Sequence, residues 1–164
     1  MNPNLHFKDL LNALNMCGAK YLVVGGYAVM FYTEPRYTKD LDIRTEAGPD
    51  NSMRVFRALA EFGAPLAGIT PDEFAQPDVI YQLGMPPSRI DILTSITGVE
   101  FADAWERRTP SRYGDLPVHF ISAEDLLRNK RATARATDLV DCERLEQAAK
   151  DAASQFRHLS DSPH

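Results

Sequence analysis

Asp40 and Asp42 stand two residues apart in the alternating run Asp40-Leu41-Asp42-Ile43-Arg44, which has the pattern of a strand with one face against a core. Strand side chains alternate between faces, so the two carboxylates project the same way with α-carbons about 6.6 Å apart, while Leu41 and Ile43 turn inward. In Arg89-Ile90-Asp91-Ile92-Leu93 a third carboxylate, Asp91, again lies between apolar residues. Neighbouring carboxylates repel unless water or a cation relieves them. Magnesium suits such a pair, because it takes oxygen ligands and is usually completed by waters and substrate phosphates. If the two strands are adjacent, three carboxylates converge, and such a set can hold two metals that stabilise the attacking and leaving oxygens of a displacement at phosphorus. The third acid can also accept the proton of an acceptor hydroxyl. That chemistry is phosphoryl or nucleotidyl transfer. The alternative is plain: Asp40 and Asp42 as the solvated face of an edge strand.

The elements needed to position these acids can be read around them. Leu10, Leu11 and Leu14 repeat at helical spacing before Gly18, which predicts a helix near residues 5 to 17. Tyr21-Leu22-Val23-Val24 reads as a buried strand ending at Gly25-Gly26, followed by a short helix over Tyr27 to Thr33. That turn could offer backbone amides and the positive end of a helix to a phosphate; as a bare glycine pair it could also be only a strand-to-helix turn. Arg36 and Thr38, just before the acidic pair, could touch phosphate or base, or only hold the loop. Pro49 to Phe62 predicts a helix closed by Gly63. Ala64 to Pro77, with three prolines, predicts a loop with little regular structure. Val79 to Leu83 and Arg89 to Leu93 suggest a hairpin, and Glu100 to Arg108 a short helix. A weaker strand pair falls in Arg112 to Ile121, broken at Gly114-Asp115. Ser122 and Asp125 open a helical stretch that persists to about Phe156, with a break near Ala136 and Thr137. These elements make a mixed α and β class whose strand order the pattern does not reveal. Residues 1–156 read as a single domain and 157–164 as a polar, frayed tail.

The chain has 164 residues, 44% hydrophobic and 25% charged, enough to bury a core without staples. Cys17 and Cys142 form no disulfide framework and no zinc spacing, which fits a reducing cytosol. No apolar run reaches the roughly 20 residues of a membrane span, and nothing marks the N-terminus for export, so a cytoplasmic protein is expected. The net charge of −5 argues against coating nucleic acid through a broad basic surface. Charge is nonetheless uneven: residues 105–135 carry seven basic against four acidic side chains, and residues 136–164 three against six.

Gly25-Gly26, then Asp40-Leu41-Asp42, then Asp91 on a later strand together resemble the DNA polymerase β-like nucleotidyltransferase superfamily. More narrowly, four blocks resemble bacterial minimal nucleotidyltransferases related to abortive-infection toxins. They are Gly25 to Val29, Arg36 to Ile43, Arg89 to Leu93, and Asp125 to Arg135 with Asp138 and Asp141 behind it. The resemblance implies an α+β fold, a small mixed sheet backed by helices with C-terminal helices. It also implies Asp40, Asp42 and Asp91 as catalytic metal ligands for Mg2+ or Mn2+, and Gly25 and Gly26 against the triphosphate. Lys130 would reach the triphosphate from the C-terminal helix, with Arg135 beside it in the nucleotide site; as bare residues, both could equally be solvated or paired with Asp138 or Asp141. The implied reaction moves a nucleoside monophosphate from a nucleoside triphosphate such as ATP to a hydroxyl of RNA, protein or a small molecule. A toxin or antitoxin protein is the implied partner, and a silent nucleotide- or partner-binding module is the alternative. One departure stands out: relatives often have glycine where this chain has Ala134, which predicts a shifted or softened helix break near Arg135. Haloacid dehalogenase phosphatases share the Asp-x-Asp, but Thr45 falls one residue late for their motif.

Overall fold

The computed structural model describes residues 4–35, 38 and 40–160. Six strands form one mixed sheet: β1 Tyr21–Val24, β2 Asp40–Thr45, β3 Ile80–Leu83, β4 Arg89–Leu93, β5 Thr109–Tyr113 and β6 Leu116–Phe120. Their order is β3-β4-β2-β1-β6-β5, with β2 parallel to β4, β1 parallel to β6, and the other neighbours antiparallel. The strand bearing Asp40 and Asp42 is therefore interior, which removes the edge-strand alternative. Its burial alternates as its sequence does, with Leu41 and Ile43 essentially inaccessible and Asp40 and Asp42 half-buried on the other face.

Six helices flank the sheet: α1 Leu5–Met16, α2 Gly25–Tyr32, α3 Pro49–Phe62, α4 Phe101–Glu106, α5 Ala123–Thr133 and α6 Ala136–Ser160. Helix α1 is held by its periodic face of Phe7, Leu10, Leu11 and Leu14, all buried. Asn4 caps it, its Oδ1 accepting from the His6 and Phe7 amides at 2.9 and 3.3 Å. Helix α3 packs on α1, while α2 contacts β1, β2, α5 and α6. The aliphatic residues of β1, β2 and β4 join these helices in one core.

Several local expectations shift. Helix α2 starts at Gly25, so the glycine pair forms its first turn instead of preceding it. The proline-rich stretch after α3 contains a 3-10 turn, Pro71–Ala75, anchored by the buried Phe74. Helix α6 continues to Ser160. The α5–α6 break, expected near Ala136 and Thr137, falls slightly earlier, on Ala134, which takes the left-handed conformation glycine would supply, with φ of 49°. That conformation costs roughly 1–2 kcal/mol for an L-residue. Two hydrogen bonds hold the corner, Ala134 N to Lys130 O at 3.0 Å and Arg135 N to Asp138 Oδ2 at 3.1 Å.

The segment of concentrated positive charge is largely neutralised within the fold. Asp125 is fully buried and accepts from Arg107 (2.8 and 3.0 Å), Arg128 (2.6 Å) and Ser122 (3.1 Å). Burial alone would raise its pKa, but these donors hold it below the usual carboxylate range. Among the described residues, no helix is long and apolar enough to cross a membrane.

Candidate active site

The carboxylates meet because β2 and β4 run parallel in a register that pairs Asp42 with Asp91 and Asp40 with Arg89. On the other side β1 pairs Val24 with Asp42, so the residue before the glycine turn flanks the same acid. Asp42 thus stands between the β1–α2 turn and Asp91, with Asp40 two residues along on its own face.

Gly25 makes this approach possible. Its φ is +66°, and a Cβ placed there would lie 2.2 Å from Asp42 Oδ2, inside any permissible contact. No side chain caps the first turn of α2, whose leading peptide groups are those of Gly25 and Gly26. Helix start and carboxylate are in van der Waals contact without an intervening side chain.

The electrostatics of the cluster are unbalanced. The Asp42 carboxyl is pushed up to about 7, first by burial, then by the charges of Asp91 and Asp40, and against the pull of Lys130 and Arg89. Arg89 lies beside Asp91, its Nε and Nη2 at 3.2 and 3.3 Å from the two carboxylate oxygens. The same group feels Asp40 and Asp42, and its pKa is raised chiefly by the bond to Asp91. Arg89 was not among the expected site residues, although strand alternation puts positions 89 and 91 on one face and so carried the signal.

Lys130 comes from α5. Its Nζ lies 3.3 Å from Asp138 Oδ1 and 3.1 Å from Asp141 Oδ2, and it is nine-tenths buried. It is still close enough to Asp42 to act on that group's ionisation. Arg135 is exposed and holds Asp138 through Nε at 2.9 Å. Of the two alternatives read from the sequence, the ion pairs with Asp138 and Asp141 are therefore present. Asp138 stays ionised well below the usual range: burial works against this, and bonds from Arg135 and Thr133 outweigh it. Thr38 is half-buried in the loop before β2, and Arg36 lies outside the described residues. Tyr27 and Tyr32 are packing residues. Tyr27 stands edge-on to Phe7 and Tyr113, and the Tyr32 hydroxyl bonds Thr109 Oγ1 and the Ile121 carbonyl at 2.8 and 2.6 Å.

As they stand, no three acidic, histidine or cysteine side chains among the described residues are gathered tightly enough to enclose a metal ion. The donor chemistry nevertheless suits a hard divalent cation: carboxylate oxygens on adjacent strands, with a half-buried member, Asp42, whose ionisation is opposed by its acidic neighbours. A groove of about 800 Å³ between α1, the end of α3 and the β3–β4 hairpin contains Ile90 and none of the three acids, so it lies across the sheet from them.

This architecture, an α+β fold whose mixed six-stranded sheet is backed by helices and followed by a long C-terminal helix, is a nucleotidyltransferase fold. No family model and no curated protein matches the sequence. Among solved structures, the chain is similar to the lincosamide antibiotic adenylyltransferase LnuA bound to lincomycin. The TM-score is 0.54 and the identity 18%, over 90% of this chain and 98% of that one. At that identity the likeness establishes the fold.

Proposed function

We propose that the protein is a divalent-metal-dependent nucleotidyltransferase that moves a nucleoside monophosphate from a nucleoside triphosphate to an acceptor hydroxyl, releasing pyrophosphate. The observation that carries the reading is the in-register pair Asp42–Asp91 beneath the Gly25-Gly26 turn, with Asp40 on the same face. In this reading Asp40, Asp42 and Asp91 hold Mg2+ or Mn2+, which when bound supplies charge stabilisation to the phosphates. Gly25 and Gly26 lay bare amides at the start of α2 along the polyphosphate. Thr38, Arg36 and Arg135 contribute donors around it, and Lys130 adds positive potential from beneath while Asp138 and Asp141 hold it in place. Asp91 takes the proton of the attacking hydroxyl once Arg89 releases one of its oxygens.

ATP is the first donor to test, because the structural neighbour is an adenylyltransferase. That neighbour's antibiotic also makes a small-molecule hydroxyl the first acceptor to try, ahead of RNA or protein. A toxin–antitoxin role rests on the four sequence blocks alone. Incubation of the protein with each labelled triphosphate, Mg2+ and either RNA, a protein extract or a panel of hydroxylated small molecules should label one acceptor class. Label that is lost with EDTA and with Asp42→Asn supports the reading. Nucleotide binding by folded protein without transfer under any of these conditions would instead favour a silent binding module, a state to which the bidentate Arg89–Asp91 pair is suited.

A further inference from the structure

Arg89 opens β4 two residues before Asp91 and on the same face, its Nε and Nη2 spanning both oxygens of that carboxylate at 3.2 and 3.3 Å. Register places it directly across from Asp40 on β2, so Asp42, which stands opposite Asp91, is its diagonal neighbour. Its other flank is bare. Gly84, just past β3, turns the hairpin so closely onto Ser88 that a Cβ there would lie 2.5 Å from the Ser88 carbonyl oxygen and 3.7 Å from the Arg89 α-carbon. No side chain at position 84 therefore fences the arginine in. Of the pair, Arg89 is also the more open, with 34% of its side chain exposed against 13% for Asp91. Lys130, the other cation acting on the cluster, is committed to Asp138 and Asp141. The guanidinium is thus the member of the Arg89–Asp91 pair that has room to leave.

A guanidinium that grips a carboxylate through two donors leaves neither oxygen free for a divalent cation. We propose that Arg89 holds the cation's place at Asp91 until a nucleotide arrives: metal and guanidinium compete for that carboxylate, and the triphosphate removes the competitor by taking the guanidinium onto its own oxygens. The inference rests on the nucleotidyltransferase reading and adds to it a device that couples metal binding to nucleotide binding. The planar fork of arginine matches phosphate as well as carboxylate, so the side chain exchanges one bidentate partner for another. The move is short, because a polyphosphate along Gly25 and Gly26 lies against Asp42, the diagonal neighbour of Arg89. By linkage, triphosphate and metal then raise each other's affinity by the same factor. Before the triphosphate binds, Arg89 offsets the mutual repulsion of the carboxylates that the two strands bring together.

Mn2+ binding to the full chain, followed by electron paramagnetic resonance, tests the exchange without turnover. Arg89→Leu should bind Mn2+ alone more tightly than wild type by about fivefold or more, and a nonhydrolysable triphosphate should raise its Mn2+ affinity by a smaller factor than it does in wild type. Arg89→Lys keeps the charge and loses the fork. It should also bind Mn2+ alone more tightly, by about twofold or more, which separates the grip on Asp91 from the general field of a positive charge. If Arg89→Leu does not fold, Arg89→Lys decides. An arginine that only secures the start of β4 would give unchanged or weaker Mn2+ binding in these variants, and either result overturns the proposal. Asp42→Asn tells this failure from that of the underlying reading. Wild-type Mn2+ binding that Asp42→Asn abolishes, with no gain in either Arg89 variant, rejects the exchange and leaves the metal role standing. Mn2+ binding that is absent throughout, or indifferent to Asp42→Asn, rejects both.

Discussion

Asp42 and Asp91 are direct cross-strand partners on parallel strands, and the first of them is also in contact with the glycine that opens α2. Three requirements of phosphate chemistry, a carboxylate pair, a close backbone and an uncapped helix start, thus fall on one short stretch of sheet.

The ionisation of Asp42 gives the metal-free protein a defined pH dependence. Its carboxyl sits near 7 in the folded chain against an ordinary value of 3.8, so the folded state holds the proton more tightly than the unfolded state. Stability from this group is therefore full below about pH 4 and declines as pH rises toward 7, by roughly 2–4 kcal/mol in all. Asp42→Asn should remove most of that decline, raising the EDTA-treated Tm at pH 8 relative to wild type and changing it little at pH 4. Thermal unfolding at the two pH values measures this, and wild-type and variant curves that move in parallel would contradict the assignment.

Divalent cation should act in the opposite sense. Binding to ionised carboxylates displaces the Asp42 proton, so Mg2+ or Mn2+ should stabilise the protein more at pH 8 than at pH 5 and release protons on titration. Calorimetry in two buffers of different ionisation enthalpy reports the proton count directly. Asp42→Asn and Asp91→Asn should each weaken Mn2+ binding by at least tenfold; unchanged affinity in both would remove the metal role.

Gly25→Ala tests whether the close approach matters. The new methyl would meet Asp42 Oδ2 at 2.2 Å from a residue whose φ is +66°. A cost of about 1–3 kcal/mol is expected from the backbone strain alone. The carboxylate must also move, so transfer activity should fall at least tenfold, further than the loss of folded protein explains. Urea unfolding read beside turnover separates the two effects.

The carboxylates of this cluster are more legible in the sequence than their assembly. Apolar alternation around Asp40, Asp42 and Asp91 is a local signal, and the structure keeps it in β2 and β4. What brings Asp91 beside Asp42 is strand order, which depends on pairing between segments nearly fifty residues apart and leaves no local trace. Arg89 shows the converse. Its place on the face of Asp91 follows from alternation, yet an arginine at a strand start reads as solvated until a carboxylate is known to share its surroundings. Ala134 is a third case: the corner between α5 and α6 is held by the Lys130 carbonyl and the Asp138 side chain, contacts strong enough to impose a glycine-like backbone on alanine.

Lys130 carries two loads that substitution can separate. Its ammonium is the buried counter-charge of Asp138 and Asp141, at 3.3 and 3.1 Å, and it also lowers the cost of ionising Asp42. Removing one partner of a buried ion pair leaves uncompensated charge, so Lys130→Ala should destabilise the chain by about 3–5 kcal/mol. Combining it with Asp138→Asn and Asp141→Asn relieves that burden and should restore much of the stability measured by urea unfolding. If the lysine also serves the polyphosphate, the triple variant should stay impaired in triphosphate affinity by at least fivefold despite its recovered fold. Full recovery of nucleotide binding together with stability would limit Lys130 to holding α5 against α6.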